Sequence, residues 1–146
     1  DDKHSAELTI GLIGAGFDIL NQADPSGYLV KVCYKWNLLR QPGSGSPLAG
    51  LYVKPELIWA DYSYHASPAG LTIPEAPRVE QHTHQLALLA ECGYQLIVKW
   101  FLFDVYCGLG PTVGTGNAQN YFHGFMTWPV GSAMAWTAGF RLGYAF

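Results

Sequence analysis

The C-terminal segment, residues 133–146, alternates between two kinds of side chain. From Met134 to Phe146 every even-numbered residue is apolar or aromatic, whereas the odd-numbered residues are small or polar and include Arg141. Successive side chains of a β-strand point to opposite faces of the sheet. This period of two therefore predicts a strand with one apolar face and one face of small residues and a cation.

The same alternation recurs in five earlier segments, so that six strands are predicted in all. They cover residues 7–12, 28–38, 51–59, 86–98, 101–109 and 133–146. Clusters of Pro, Gly, Ser and Asn predict loops at 21–27, 40–48, 65–81 and 111–131. Pro55 lacks a backbone donor, which predicts a bulge or weakened pairing in the third strand.

A tight turn at Lys99 and Trp100 is predicted to join the fourth and fifth strands, and it fixes their register. Pairing Val98 with Phe101 places all the following partners on one apolar face, namely Leu96 with Phe103, Tyr94 with Val105 and Cys92 with Cys107. A slip of one residue would move Asp104 onto that face. The pattern therefore predicts a single register for this hairpin.

The composition is that of a single domain, residues 1–146, with unusually few ions. Charged residues make up 13% and aromatic residues 14% of the 146 residues, and the mean hydropathy is +0.09. A net charge of -3 with no basic run argues against a nucleic-acid partner. No apolar run approaches the roughly 18 residues of a membrane helix. The apolar residues therefore either fill a soluble β core or coat a β-barrel.

Acidic and basic residues are equally frequent on the faces opposite the apolar ones. They are Glu7, Lys31, Lys35, Lys54, Glu56, Glu91, Asp104 and Arg141. Each basic residue would cost about 2–4 kcal/mol if it faced lipid near the bilayer midplane, so these charges must face inward or face water. Mixed charges can neutralise one another inside a small barrel, which predicts a plugged, charge-paired lumen. The alternative is the solvated face of an ordinary antiparallel sheet.

The aromatic residues on the apolar faces favour the membrane alternative, because they are too many along six strands for one small core. Those predicted to face lipid are Tyr28, Tyr34, Trp36, Trp59, Tyr94, Phe101, Phe103, Trp136, Phe140 and Tyr144. The predicted fold class is therefore all-β, an antiparallel up-and-down transmembrane β-barrel.

Several glycine-aromatic motifs resemble a known family. They are Tyr34-Lys35-Trp36 within 27–38, Gly50-Leu51-Tyr52 within 50–56, the segment 93–110, and Gly139-Phe140-Arg141 within 139–146. Together they resemble the small outer-membrane barrels of unknown function from Bacteroidetes-type bacteria, which are similar to the eight-stranded OmpA and OmpX barrels. The terminal Phe146 resembles the assembly signal of bacterial outer-membrane barrels.

The resemblance implies a closed barrel of about eight strands in the bacterial outer membrane, of which six are visible in this sequence. The start, residues 1–5, resembles the periplasmic turn that follows the second strand of the family. We therefore expect that an N-terminal hairpin is absent from this sequence or that another chain covers the open edges.

Candidate chemistry is sparse, and no catalytic residue, cofactor or metal is predicted. Residues 11–16 contain three glycines, but they do not form the G-x-G-x-x-G motif of a dinucleotide-binding loop, because the last glycine of the motif is replaced by Ile19 and no helix is predicted to follow. His82 and His84 could hold a metal with the loop residues His65 and His123, although exposed strand-end histidines are the simpler interpretation. A lipid-modifying enzyme would need a Ser-His or His-acid pair at the outer rim; Ser63 or Ser67 with His65 or His84 could be named, but no spacing selects such a pair. Cys92 and Cys107 are either a cross-strand disulfide or, as we favour, free thiols.

The leading functional hypothesis is a non-enzymatic outer-membrane barrel. It would act as a structural or interaction subunit of an outer-membrane assembly, with the lipid bilayer and other outer-membrane proteins as partners and its specificity in loops 65–81 and 111–131. The second hypothesis is a soluble calyx-type barrel that binds an apolar ligand inside. The third is a lipid-modifying enzyme at the rim of an outer-membrane barrel.

Overall fold

The computed structural model describes residues 4–14, 22–43, 45–66, 79–115, 124–127 and 133–144, and these form one antiparallel sheet. The strands are β1 (His4–Ile13), β2 (Gln22–Arg40), β3 (Gly50–Ala66), β4 (Val79–Val98), β5 (Phe101–Gly114), β6 (Met126–Thr127) and β7 (Met134–Tyr144). Their order in the sheet is β1-β2-β3-β4-β5-β7-β6. The all-β, antiparallel, up-and-down prediction is thus confirmed. Among the described residues, no helix is long and apolar enough to span a membrane.

Strands β1 to β5 are longer than the sequence pattern indicated, and β6 lies in a predicted loop. Both β3 and β4 reach into the segment 65–81, and β6 lies within the segment 111–131. The predicted loop 21–27 was wrong over 22–27, because β2 begins at Gln22. The register with β3 shifts between Ala23 and Ser26, which is typical of a β-bulge. Residues in a bulge do not need to donate a backbone hydrogen bond to the neighbouring strand, so Pro25 can lie within β2.

The predicted hairpin register between β4 and β5 is confirmed. Val98 pairs with Phe101, and the ladder continues through Cys92 opposite Cys107. Lys99 begins the connecting turn with a φ of 57°. In β3, Pro55 pairs with Ala90 of β4. Toward β2, Pro55 has no pairing partner, because the ladder is interrupted between the pairs Cys33–Glu56 and Trp36–Val53. The weakened pairing predicted from this proline is therefore present on one side only.

The sheet curls around one face, which we call the concave face. Glu7 on β1 and Arg141 on β7 lie near opposite ends of the strand order, yet their side chains approach to 3.7 Å. The sheet is nevertheless not a closed barrel. Among the described residues, β1 pairs only with β2, and β7 pairs on its far side only with the two residues of β6. Closure into about eight strands is therefore not present.

The segment Gly124–Thr127 packs inside the curl. Phe125 is fully buried in a cluster with Ile58 of β3, Leu89 of β4 and Ala135 of β7. The Thr137 hydroxyl donates to the Gly124 carbonyl oxygen over 2.9 Å and fixes the segment to β7. A short return segment thus fills one end of the concave face.

Candidate functional site

The centre of the concave face is a buried group of ions on β3 and β4. Lys54 Nζ lies 2.5 Å from Glu56 Oε2 and 3.0 Å from Glu91 Oε2, and all three side chains are at most 3% exposed. The register explains this grouping, because Lys54 pairs directly with Glu91 and Glu56 is the next residue on the same face of β3. The contact with Glu91 is an ion pair without hydrogen-bond geometry, since neither Glu91 oxygen has a hydrogen-bond partner within the described ranges.

Arg141 extends this group across the curl. Its guanidinium nitrogens lie 3.9 Å from Glu56 Oε2, 3.9 Å from Asp104 Oδ2 and 3.7 Å from Glu7 Oε2. On the other flank, Lys31 Nζ lies 3.5 Å from Glu56 Oε1. Side chains from β1, β2, β3, β5 and β7 thereby meet around Glu56 and Arg141.

Lys35 joins the same group through neutral side chains. Its ammonium donates to Gln95 Oε1 and lies 3.9 Å from the centre of the Tyr52 ring, a cation-π distance. The Tyr52 hydroxyl in turn donates to Asp104 Oδ1 over 2.9 Å. The structure therefore brings all eight charged residues named from the sequence into one connected set, which we call the charge cluster.

The charge cluster is balanced. Four acidic residues (Glu7, Glu56, Glu91, Asp104) meet four basic ones (Lys31, Lys35, Lys54, Arg141), for a formal sum of zero. Lys35, Lys54, Glu56, Glu91 and Asp104 are buried, whereas the side chains of Arg141 and Glu7 are 36% and 39% exposed. Burying an unpaired charge costs several kcal/mol, so the balance of charges offsets part of this cost for the five buried ions.

Glycines make room for the aromatic part of the cluster. A Cβ on Gly93 would lie 2.4 Å from the Tyr52 hydroxyl oxygen, and one on Gly139 would lie 2.8 Å from that of Tyr106. The guanidinium of Arg141 stacks over Tyr106 at 4.4 Å. Sequence reasoning missed both tyrosines, although their inward position in the alternation was visible.

The opposite, convex face is apolar and exposed. Nine of the ten aromatic residues named from the sequence are 40–68% exposed, and the tenth, Phe103, is half-buried and stacks on Phe140. Aliphatic neighbours with similar exposure surround them, including Leu8, Ile10 and Leu88. Phe146 lies outside the described residues. The two faces of the sheet are thus the reverse of those of a soluble β protein, in which apolar side chains point to the core.

The convex face contains a zone without charged residues, whose height can be estimated from β4. On β4, the outward residues from Leu86 to Val98 carry no charge, and His84 and His82 follow beyond Leu86. At about 3.3 Å per residue, this run is roughly 40 Å long, or about 28 Å high at the ~45° tilt usual for membrane strands. The apolar band of outer-membrane barrels is about 25 Å tall. We call this zone the apolar band.

Other candidate groups lie on the convex face or outside the described residues. Cys92 Sγ and Cys107 Sγ are 3.7 Å apart and both thiols are free. The Ser63 hydroxyl lies 3.3 Å from that of Ser26, a contact that involves no histidine. Ser67 and His123 lie outside the described residues.

Comparison with known proteins identifies no relative of this chain. No family model, curated protein or solved structure matches the chain. The likeness to Bacteroidetes-type barrels, and the outer-membrane location that it implies, therefore stay predictions, and function must be argued from the two faces of the sheet.

Proposed function

We propose that this chain is an integral β-barrel subunit of a bacterial outer membrane, whose convex face contacts lipid and whose charge cluster fills the interior. One observation carries the proposal, namely that ions are buried while tryptophan, tyrosine and phenylalanine side chains are exposed along a band of membrane height. Water would oppose both placements, whereas hydrocarbon outside the barrel would favour both.

The concave face argues against the soluble calyx. A calyx binds an apolar ligand against an apolar lining, but here Lys54, Glu56, Glu91 and Asp104 occupy that position and are nearly inaccessible. Exposed apolar patches beyond a few hundred Å² are also rare on soluble monomers. A soluble form would therefore need a second protein to cover the whole convex face.

A structural or interaction role suits the filled interior better than transport. The charge cluster and Phe125 occupy the concave face, so little space is left for a solute. Among the described residues, the free edge of β1 and the part of β7 that does not pair with β6 expose backbone groups that lipid cannot satisfy. We therefore propose that further strands, from a longer form of this chain or from another outer-membrane protein, complete the barrel along β1 and β7.

The membrane proposal can be tested with the tryptophans of the convex face. Single-tryptophan forms that retain Trp36, Trp59 or Trp136 are reconstituted into vesicles whose acyl chains carry bromine at a defined depth. By the strand register, Trp36 lies opposite Cys92 at the middle of the apolar run of β4, and Trp59 lies opposite Leu86 at its end. Because Glu7 contacts Arg141, six residues beyond the position on β7 that the register places opposite Glu7, the strands are tilted. With a tilt of ~45° and strands ~4.8 Å apart, Trp36 lies about 7 Å, and Trp59 and Trp136 each about 11 Å, from the middle of the apolar band.

We expect deep bromines to quench Trp36 more strongly than Trp59 and Trp136. A form that retains only Trp100, which lies in the turn after Val98, serves as the control at the other border. Equal quenching of all four by aqueous iodide, with none by bromolipid, would refute the proposal.

A further inference from the structure

Two histidines and a carboxylate converge at the border of the apolar band. Asp61 on β3 pairs directly with His84 on β4, and His82 is the next residue on the same face. Asp61 Oδ1 lies 3.0 Å from His82 Nε2, and Asp61 Oδ2 lies 3.0 Å from His84 Nδ1. The three ligand atoms all lie within 4.8 Å of one another. The register across β3 and β4, which the sequence alone could not supply, is what brings them together.

We propose that Asp61, His82 and His84 bind a divalent transition-metal ion of the zinc class. Imidazole nitrogens with a carboxylate oxygen are a common donor set for zinc. Bond lengths of about 2.0–2.2 Å at a tetrahedral centre place neighbouring ligand atoms about 3.3 Å apart. Asp61 contacts the two imidazoles through different oxygens, each 3.0 Å from its histidine nitrogen, and the ligand atoms all lie within 4.8 Å of one another. Binding therefore requires the two imidazoles to turn toward one carboxylate oxygen, or Asp61 to bind through both oxygens.

The backbone of the site is held while its side chains are free to adjust. The His84 amide donates to Thr115 Oγ1 over 3.2 Å, and the Thr115 amide donates to the His84 carbonyl oxygen over 2.9 Å. The imidazoles themselves are 56% and 51% exposed, so a small rotation meets no obstacle. Ligands mounted on two paired strands are better positioned than ligands on loops.

Three protein ligands leave a fourth position for water or for a group from another molecule. The site lies just beyond the apolar band, at the level of Tyr28, which pairs with Asp61. A bound ion would link β3 to β4 and replace the hydrogen bond that Asp61 accepts from His84 and the contact of Asp61 with His82. The proposal does not depend on the membrane function, because the three residues would meet equally in a soluble form of the sheet.

Zinc binding to the chain of residues 1–146 in detergent micelles tests the site. The background carries Cys92→Ser and Cys107→Ser, since that thiol pair is the other soft donor set on the same face. We expect calorimetry to show one Zn²⁺ per chain, and Co²⁺ to give the absorption of a four-coordinate ion.

Ligand variants separate this site from scattered histidine binding. Asp61→Asn, His82→Gln and His84→Gln should each weaken Zn²⁺ binding at least about tenfold, the loss that even outer-shell changes cause at metal sites. The control His4→Gln removes a histidine on β1, opposite Trp36 and outside the three-ligand group, and should bind as the parent does. Ligand variants that keep the parental affinity, or a parent that binds no Zn²⁺ below about 1 mM, would overturn the assignment; circular dichroism checks that each variant is folded.

Discussion

Replacing Lys54 with methionine tests the charge cluster most directly. Methionine keeps most of the volume and removes the ammonium that lies between Glu56 and Glu91. Glu56 would keep Lys31 and Arg141 as neighbours at 3.5 and 3.9 Å. Glu91 is fully buried and would lose its ion pair with Lys54. In the part of the chain that the structure describes, neither of its oxygens has a hydrogen-bond partner that could compensate for this loss.

The expected cost follows from that stranded carboxylate. Removing one partner of a buried ion pair typically destabilises a protein by about 3–5 kcal/mol. This is roughly a hundredfold to several thousandfold in the folding equilibrium. Lys54→Met combined with Glu91→Gln removes both charges, so we expect the double variant to recover at least about 2 kcal/mol of the loss.

Urea unfolding in detergent micelles, followed by tryptophan fluorescence, measures these differences. Lys35→Met is the matched control, since Lys35 is as buried as Lys54 but contacts Gln95 and Tyr52, which are neutral. It should cost about 1–2 kcal/mol, because no carboxylate is stranded. If Lys54→Met costs no more than Lys35→Met, or if Glu91→Gln restores nothing, the argument that these ions neutralise one another is wrong.

Three further predictions concern packing and the convex face. Gly93→Ala should destabilise by about 1–3 kcal/mol through overpacking, whereas Gly143→Ala, whose new methyl would meet nothing nearer than 3.5 Å, should cost less; urea unfolding compares the two. Phe125→Ala should cost about 3–5 kcal/mol because it empties a fully buried site, and a loss below about 1 kcal/mol in the same assay would show that the segment does not fill the concave face. Val105 pairs with Tyr94 near the middle of the apolar band, so Val105→Arg should cost about 2–4 kcal/mol in vesicles, and Ser63→Arg, beyond the apolar band, no more than about 1 kcal/mol; equal costs would argue against a lipid-facing convex face.

Much of the fold follows from the period of two in the sequence. Alternation assigns each side chain to a face without any knowledge of the neighbouring strand. A two-residue turn such as Lys99-Trp100 then fixes the register of its hairpin, and the pairing of Cys92 with Cys107 follows. Local pattern and local turn chemistry are sufficient for this part of the sheet.

Features that depend on distant segments could not be predicted in this way. Asp61 meets His84 only through the register of β3 and β4, whose connection is too long to set that register by turn type. Phe125 lies in a stretch rich in Gly and Asn, so its local sequence indicated a loop, and its burial depends on the shape of the curl. The bulge between Ala23 and Ser26 could not be predicted from the sequence, because Pro25 normally argues against a strand and therefore indicated a loop.

The charges of the cluster are distributed unevenly among the strands, and this has a consequence for the assembly of the sheet. The β2–β3 hairpin alone contributes Lys31, Lys35 and Lys54 against Glu56, an excess of two positive charges (three minus one). The carboxylates that offset this excess come from the flanking strands, Glu7 of β1 and Glu91 of β4. The hairpin alone therefore carries an unbalanced positive charge, which is neutralised only when the strands on both sides have paired with it.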